Sequence, residues 1–186
     1  MSPFVLDLSP ALRLSWVRWR NDMSKAGISI DIPGFGRKHI ATMLTDYTGT
    51  LSRGGRLTGG VKDALLRLAE LLDIHVITAD TFGYAGVELK GVPVNLVRLA
   101  CERLDVEKRK YGEKIGLEHC VVFGNGNNDR LLLKAAKESG GIAIAVDNGE
   151  GCATDALLNS NIFIVGALNA LNLLLEPKGS KATLRF

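Results

Sequence analysis

Short apolar runs alternate with helix-like patterns along this chain, and this alternation restricts the fold more than any other feature. Residues 74–78 and 119–124 are apolar runs of strand length, whereas 61–73 and 129–140 carry apolar side chains at helical spacing. Strands that alternate with helices in this way are typical of a parallel sheet covered by helices on both faces. The sequence therefore predicts an α/β fold with a three-layer, Rossmann-like parallel sheet.

The predicted elements begin near residue 27. The alternating segment 28–32 is expected to be an edge strand or half of a hairpin, and a Pro33-Gly34 turn follows it. One helix is expected to begin with Asp105 as its N-cap and to end at Gly116. The other predicted strands are 41–45, 74–78, 92–99, 119–124, 141–146 and 161–165, and the other predicted helices are 61–73, 81–91, 129–140 and 151–160.

The chain is expected to contain one folded domain, because 186 residues can bury a core of ordinary size. Residues 1–26 mix Asp7 with arginines and tryptophans and are interpreted as an extension outside the core. An amphipathic arm that docks on a partner or a membrane surface is the alternative. The domain is assigned to residues 27–175, and residues 176–186 to a mildly basic, peripheral C-terminal tail.

Composition excludes several classes of function. A net charge of +3, with no basic stripe interleaved with aromatics, argues against a nucleic-acid-binding protein. No apolar run reaches the length that a membrane span needs. The cysteines Cys101, Cys120 and Cys152 are odd in number and widely spaced, so reduced core thiols are favoured over disulfides or a metal site. We therefore expect a cytoplasmic protein.

The segment 41–52 carries the most distinctive chemistry of the chain. Its apolar run ends in Asp46, which places that carboxylate at the carboxyl edge of the sheet, where open α/β folds bind ligands. Gly49 permits a sharp turn beside the carboxylate, and Thr48 and Thr50 supply oxygen atoms to a bound group. The segment therefore predicts a site centred on Asp46.

Two further strand ends carry polar groups in the same order along the chain. Thr78 closes the run 74–78, where its hydroxyl could donate to an anion held next to Asp46; a β-branched residue that merely ends a strand is the alternative. The glycine-rich loop 124–129 follows a strand and leads through Asp129 into a helix. Such a loop can surround a cation or a phosphate, or it can be an ordinary strand-to-helix turn. A lysine near the start of the 105–116 helix, Lys108 or Lys110, is a fourth candidate, with a solvated helix face as the alternative.

Together and in this order, these motifs resemble those of the haloacid dehalogenase superfamily of phosphoryl-transfer enzymes, over residues 41–165. The chain reads DYTGT, TAD and GNGNND. The branch that contains the P-type ATPase phosphorylation domain and its small soluble relatives carries D-K-T-G-T, T-G-D and G-D-G-x-N-D. The resemblance implies a nucleophilic aspartate, Mg²⁺ and an aspartyl-phosphate intermediate.

The resemblance also implies a role for each matching residue. Asp46 would attack phosphorus, and Thr78 would hydrogen-bond the transferring phosphoryl group beside the Gly49 turn. Lys108, preferred to Lys110 for its distance from the GNGNND loop, would neutralise charge on that group and on Asp46. The implied Mg²⁺ ligands are Asp46, the backbone carbonyl of Thr48, Asn125 and Asp129.

Two residues depart from the family pattern. Most phosphatases of the superfamily place a general acid–base Asp two residues after the nucleophile, where this chain has Thr48, as in the ATPase branch. Loss of a general acid–base typically costs about 10²–10⁴-fold in rate, so slow breakdown of the phosphoenzyme is expected. Asn125 stands where the metal loop usually has its first acid, which predicts weaker Mg²⁺ binding.

The chain leaves no room for a cap domain, because residues 51–60 allow only a turn and 79–107 only one helix and one strand of the core. The site is therefore expected to be open, and open relatives act on large substrates or close their pockets by forming homo-oligomers. The expected substrate is a phosphorylated compound, with ATP as one candidate. A sugar-phosphate or other small-metabolite phosphatase is an alternative, and a non-catalytic binding module of the same fold is another.

Overall fold

A computed structural model describes residues 25–79, 83–99 and 102–186. It contains a six-stranded parallel sheet and two separate two-stranded hairpins, with helices between the strands of the sheet. The strands are β1 (Ile28–Ile32), β2 (Gly36–Ile40), β3 (Thr42–Thr45), β4 (Ser52–Arg53), β5 (Arg56–Leu57), β6 (Asp73–Thr78), β7 (Asn95–Arg98), β8 (Cys120–Gly124), β9 (Ile142–Asp147) and β10 (Ile162–Val165). The helices are α1 (Val61–Ala69), α2 (Tyr84–Glu88), α3 (Leu104–Ile115), α4 (Arg130–Glu138), α5 (Thr154–Leu158), α6 (Ala167–Leu175) and α7 (Lys178–Leu184), with a 3₁₀ turn at Leu117–His119.

The central strands send their side chains alternately into two hydrophobic layers. Met43 of β3 packs in a core that includes residues of α1 and α6, whereas the next residue, Leu44, packs in a core that includes residues of α4 and α5. Val121 and Val122 of β8 divide in the same way. Because both faces are covered, these strands are apolar throughout rather than alternating. The predicted α/β fold with three layers is confirmed.

The order of the strands places a crevice beside β3. The sheet runs β10-β9-β8-β3-β6-β7, so the chain first moves from β3 outward to β7 and then returns to the other side of β3. The segments that leave β3 and β8 therefore diverge, and such a switch point is where open parallel sheets bind ligands at the carboxyl ends of their strands. Asp46 and the loop 125–129 follow strands at this edge, and Thr78 is the last residue of β6 there.

The first two strands form a hairpin, which confirms one of the two expectations for residues 28–32. Ile28, Ile30 and Ile32 are buried, while the residues between them are exposed. The strand expected at 41–45 is β3, whereas β2, which pairs with β1, was not predicted as a separate strand; the chain leaves the hairpin at Ala41 and enters the central sheet.

The C-terminal residues pack on this hairpin, which the expectation of a peripheral tail did not foresee. Helix α7 contacts β1 and buries Leu184. The Phe186 N–H donates to the Pro33 carbonyl at 3.2 Å, and the Phe186 ring packs against Gly34. The buried Leu184 side chain and the Phe186 backbone thus hold the segment on the hairpin, while the Phe186 side chain is 93% exposed; the limits of the domain stay a prediction.

Three other local expectations were wrong or incomplete. Asp105 is not the N-cap of α3; Arg103 holds that position with a φ of 52°, and Asp105 instead accepts a hydrogen bond from Arg130 at 2.9 Å. Helix α6 was not predicted, and residues 51–60 form the small β4–β5 hairpin rather than a simple turn. The predicted end of α3 at Gly116 is confirmed, with a φ of 91° that favours glycine.

Within the described ranges, no helix combines the length and the apolar character that crossing a membrane requires. Cys120 is a buried free thiol and Cys152 a half-buried one. Cys101 and most of the predicted extension 1–26 lie outside the described residues.

Candidate active site

Asp46 lies directly after β3, at the carboxyl edge of the sheet. Its N–H donates to the Phe123 carbonyl of β8 at 3.0 Å, which continues the pairing of the two strands by one residue. The Thr45 hydroxyl donates to the Asp46 carbonyl at 2.8 Å. The backbone of Asp46 is therefore fixed by the sheet, and its side chain is only 6% exposed.

The loop after Asp46 turns back on itself and is held by side-chain hydrogen bonds. The buried Tyr47 donates from its hydroxyl to the Gly55 carbonyl at 2.7 Å, and Ser52 donates to the Tyr47 carbonyl at 3.0 Å. Gly49 has a φ of 75°, and a Cβ there would overlap the Asn125 side chain. The predicted turn at Gly49 is confirmed, and glycine is required both by φ and by the close approach of Asn125.

Lys108, rather than Lys110, is the lysine that contacts Asp46. Lys108 extends from α3 and is fully buried, with its Nζ 2.6 Å from Asp46 Oδ1 and 2.7 Å from Asp129 Oδ1. Lys110 lies on the exposed side of the same helix and pairs with Glu107 at 2.8 Å. Burying a charge costs free energy unless oppositely charged groups lie close to it, and here two carboxylates are in direct contact with the ammonium.

Asp129 precedes α4 but its side chain does not cap that helix. Its Oδ1 binds Lys108, and its Oδ2 accepts hydrogen bonds from the backbone N–H groups of Asn125 and Gly126, each at 3.0 Å. Both oxygens are thus engaged within the protein. Asp129 ties the glycine-rich loop to Lys108, and its predicted role as a metal ligand stays a prediction.

Burial and charge act in opposite directions on this cluster. Burial raises the pKa of Asp46 to about 6, with the Asp129 carboxylate adding to the rise and the Lys108 ammonium opposing it. Burial lowers the pKa of Lys108, but the carboxylates of Asp129 and Asp46 outweigh this effect and hold that pKa above its ordinary value. The lysine therefore stays charged, and the cluster of two carboxylates and one ammonium carries a net negative charge when Asp46 is ionised.

Asn125 is linked to Asp46 through the hydroxyl of Thr50. Its amide nitrogen donates to the Gly151 carbonyl at 3.2 Å, which fixes the orientation of the side chain. The buried Thr50 hydroxyl lies 3.2 Å from Asn125 Oδ1 and 3.5 Å from Asp46 Oδ2. The Thr50 hydroxyl thus lies between a side-chain oxygen of Asp46 and one of Asn125.

A cavity of about 600 Å³ opens above the cluster. Asp46, Thr48, Thr78 and Asn125 all line it, so these predicted site residues face one space. Thr78 is 3% exposed at the end of β6, whereas Thr48 is exposed to solvent. The only chain segments described between β3 and α3 that could cover the cavity are the β4–β5 hairpin and α2, so no cap domain is present among the described residues.

Comparison with solved structures identifies the fold. A 3-deoxy-D-manno-octulosonate 8-phosphate phosphatase from Moraxella catarrhalis, in complex with magnesium ion, phosphate ion and a KDO molecule, is 17% identical, with a TM-score of 0.56 over 78% of this chain and 91% of that one. A cobalt-bound phosphatase of the same name from Haemophilus influenzae is 13% identical, with a TM-score of 0.55 over 79% and 94%. A haloacid dehalogenase-like family protein from Streptococcus pneumoniae is 13% identical, with a TM-score of 0.51 over 72% and 97%.

A relative is found by sequence as well. An uncharacterized protein from Methanocaldococcus jannaschii is 38% identical over 96 residues, which cover 44% of this chain and 99% of that protein. No family model matches the chain. The chain belongs to the family of this archaeal protein and has the haloacid dehalogenase-like fold.

The oxygen-bearing residues of this site fit a hard divalent cation. Asp46, Thr48 and Asn125 all line the cavity and offer carboxylate, carbonyl and amide oxygens, and oxygen ligands are those that Mg²⁺ prefers. A divalent cation would also compensate the net negative charge of the cluster. No group of three or more His, Cys, Asp or Glu side chains suited to a metal occurs in the described part of the chain, where the cluster itself contains the carboxylates of Asp46 and Asp129.

Sequence reasoning missed the residues at the mouth of the cavity. Glu150 lines it from the loop after β9 and accepts a hydrogen bond from the Gly54 N–H at 2.5 Å. Tyr84 of α2 also lines it, and its ring packs against Gly55. The position of Glu150 just after a strand of the haloacid dehalogenase-like sheet could have indicated it, because that strand ends at the same edge as β3.

Proposed function

We propose that this chain is a Mg²⁺-dependent phosphohydrolase that acts through an aspartyl-phosphate intermediate on Asp46. The observation that carries the proposal is the buried contact of the Lys108 ammonium with Asp46 at 2.6 Å and Asp129 at 2.7 Å, beneath an open cavity that Asp46 lines. Lysine is rarely fully buried unless its charge is paired, and a buried, paired lysine at the base of a cavity is typical of a functional site.

Each residue has a defined task in the proposed reaction. An Asp46 oxygen forms a bond to phosphorus while the bond from phosphorus to the leaving-group oxygen breaks, and solvent protonates the departing alkoxide. Thr78 donates a hydrogen bond to the phosphoryl group, and Lys108 prevents rotation of the Asp46 carboxylate and neutralises part of the charge. Water then attacks the phosphorus atom, which releases phosphate and restores Asp46.

The charges explain why a divalent cation is needed. Two carboxylates and one ammonium leave a net negative charge, and a phosphate dianion would be repelled from it. Mg²⁺, held by Asp46, Asn125 and the Thr48 carbonyl, would supply the positive charge that draws the phosphoryl group toward Asp46. Ionisation of Asp46, whose pKa burial raises to about 6, would be favoured by the same cation.

Asn125 predicts a weak metal site. Replacing the usual carboxylate by an amide keeps an oxygen ligand but removes one negative charge, and a charge pair at ~4 Å is worth about 4 kcal/mol at an effective dielectric of 20 before desolvation. We expect the Asn125→Asp variant to bind Mg²⁺ about tenfold or more tightly in isothermal titration. Equal affinities in the two proteins would contradict this role of Asn125.

The substrate is proposed to be a phosphate ester or anhydride, with ATP and small phosphorylated metabolites both candidates. The phosphatases of similar fold act, by their names, on a sugar-acid phosphate. Closure of the open cavity by a homo-oligomer, and a cytoplasmic location, stay predictions.

Turnover of p-nitrophenyl phosphate with and without Mg²⁺ tests the proposal. We expect Mg²⁺-dependent release of p-nitrophenol by the native protein and none by Asp46→Asn, with Asp155→Asn on the exposed side of α5 as the matched control. Intact-mass measurement after exposure to beryllium fluoride or substrate should show an adduct only when Asp46 is present.

The absence of both turnover and adduct would instead favour a non-catalytic binding module. That alternative is motivated by Thr48 and Asn125, which stand where many relatives have acids.

A further inference from the structure

The floor and the mouth of the cavity differ in charge balance. Among the described residues that line the cavity, only Asp46 at the floor and Glu150 at the mouth are charged, and both are acidic. Lys108 lies beneath the floor, where Asp46 and Asp129 hold its ammonium. Among the lining residues that the structure describes, the negative charge of Glu150 therefore has no basic counterpart.

Glu150 is held at the mouth rather than free to turn away. One of its oxygens accepts the Gly54 N–H at 2.5 Å, so the carboxylate bridges the loop after β9 and the tip of the β4–β5 hairpin. A carboxylate has about four acceptor positions, so a ligand in the cavity can still donate to it.

Arg53 and Arg103 lie near these segments. The Arg53 guanidinium lies beside Gly149, the residue that precedes Glu150, so it offsets part of the Glu150 charge from outside the cavity lining, and Arg103 contacts Asp105 at 3.5 Å. Neither residue lines the cavity. A leaving group that occupies the mouth would therefore meet a fixed anion.

We propose that Glu150 selects substrates by charge, so that the site takes phosphate monoesters whose leaving group is a neutral polyol or carries an amine. This inference rests on the proposed phosphohydrolase function. A hydroxyl or ammonium group donates to Glu150, whereas a carboxylate or a second phosphate is placed against it and repelled. A cavity of about 600 Å³ is of the size that holds a small sugar phosphate.

The inference predicts that two candidate substrates are hydrolysed poorly by this chain. The Moraxella structure contains a KDO molecule, which the name octulosonate identifies as a sugar acid. ATP would leave as ADP, which carries several negative charges. Both leaving groups are anionic, so we expect KDO 8-phosphate and ATP to be poor substrates of this chain.

Matched phosphate esters test the selection. Glucosamine 6-phosphate and glucose 6-phosphate share a ring and differ in one positive charge, and glycerol 3-phosphate and 3-phosphoglycerate differ in one negative charge. We expect kcat/KM to be about tenfold higher for glycerol 3-phosphate than for 3-phosphoglycerate, and about threefold higher for glucosamine 6-phosphate than for glucose 6-phosphate. Glu150→Gln should bring both ratios toward one, and high salt should reduce them in the native protein because exposed charges are screened.

Glu88→Gln is the matched control. Glu88 also holds the hairpin, by accepting the Leu57 N–H at 3.0 Å, but it does not line the cavity. If Glu150 acts through its charge, Glu88→Gln should keep both ratios. Equal changes in the two variants would show that only the position of the hairpin matters and would overturn the inference.

The outcomes separate the inference from the function on which it rests. If the native protein hydrolyses p-nitrophenyl phosphate but prefers 3-phosphoglycerate or treats each pair alike, the charge selection is wrong and the phosphohydrolase stands. If it hydrolyses none of these esters, the proposed function fails and the selection fails with it.

Discussion

The floor and the mouth of the cavity are built in different ways. The floor consists of Asp46 and other side chains at or near the ends of adjacent central strands, with Lys108 of α3 beneath it. Asp46 and Lys108 are almost completely buried and are fixed by a short contact with each other. The mouth consists of a hairpin with two-residue strands and of side chains such as Tyr84, which is 53% exposed. A rigid floor suits chemistry that tolerates little displacement, whereas an exposed mouth can vary with the substrate. Substitutions at the floor should therefore change rate and stability, and substitutions at the mouth should change substrate preference.

The largest effect is expected for Lys108→Met. It leaves the carboxylates of Asp46 and Asp129 buried without their cation, which typically costs about 3–5 kcal/mol of unfolding free energy. Turnover should fall by roughly 10²–10³-fold or more, since charge stabilisation of this kind is among the largest contributions to catalysis. Denaturant unfolding and p-nitrophenyl phosphate turnover measure the two effects.

Lys110→Met is the matched control on the same helix. Lys110 is exposed and pairs with Glu107, and exposed pairs contribute about 0–1 kcal/mol. If the two variants proved equally stable and equally active, the floor would not depend on the buried ammonium.

The next effect concerns the second half of the reaction. Thr48 stands where many phosphatases have a general acid–base, so Thr48→Asp should accelerate breakdown of the phosphoenzyme, by about 10-fold to 100-fold. Rapid-quench measurement of the phosphoenzyme gives this rate, and Thr48→Asn controls for size. Breakdown that is equally fast in the native protein and in Thr48→Asp would refute the role assigned to this position.

A smaller effect links the floor to pH. Because burial raises the pKa of Asp46 to about 6, from 3.8, the folded protein binds more protons than the unfolded one between these values. Its unfolding free energy should therefore fall as pH rises from about 4 to about 6, and this loss should persist above pH 6.

Asp46→Asn removes that loss. In EDTA, its thermal stability relative to the native protein should increase over the same pH range, reaching roughly 1–3 kcal/mol above pH 6. Calorimetry at pH 4.5 and pH 7.5 compares the two proteins. If the difference in unfolding free energy between the two proteins is the same at both pH values, burial does not destabilise the ionised form of Asp46.

The smallest effect is expected at the mouth. Tyr84→Ala removes a half-exposed ring that packs against Gly55, so KM should change by only a few-fold, with little change in kcat or in the melting temperature. Steady-state kinetics with p-nitrophenyl phosphate test this. A large fall in kcat would show that the chemistry at the floor depends on residues at the mouth, so that the two regions do not act separately.

The same contrast explains what the sequence could predict. The strands next to the floor are continuous apolar runs, and a polar residue at the end of each run marks the sheet edge where Asp46, Thr78 and Asn125 face one cavity. Lys108 could be preferred to Lys110 only through the family resemblance, because a helix of charged residues does not itself show which lysine is buried. The structure supports that preference through two contacts with distant carboxylates.

Features that depend on tertiary contacts were missed. Arg103 replaces Asp105 as N-cap because Asp105 has a partner on another helix, Arg130. The C-terminal residues become ordered by packing on a hairpin more than a hundred residues away. Glu150 meets Gly54 across a sequence separation of 96 residues. Local propensity contains no information about such partners.

The close packing of Gly49 against Asn125 has a consequence for protein engineering. A Cβ at position 49 would overlap the Asn125 side chain, and the φ of 75° there favours glycine whatever residue stands at 125. Libraries aimed at a faster or tighter-binding variant should therefore keep Gly49 and, at position 125, choose side chains that tolerate the close approach of its backbone. Recombination that joins the N-terminal half of one homologue to the C-terminal half of another should succeed most often when this pair is inherited together.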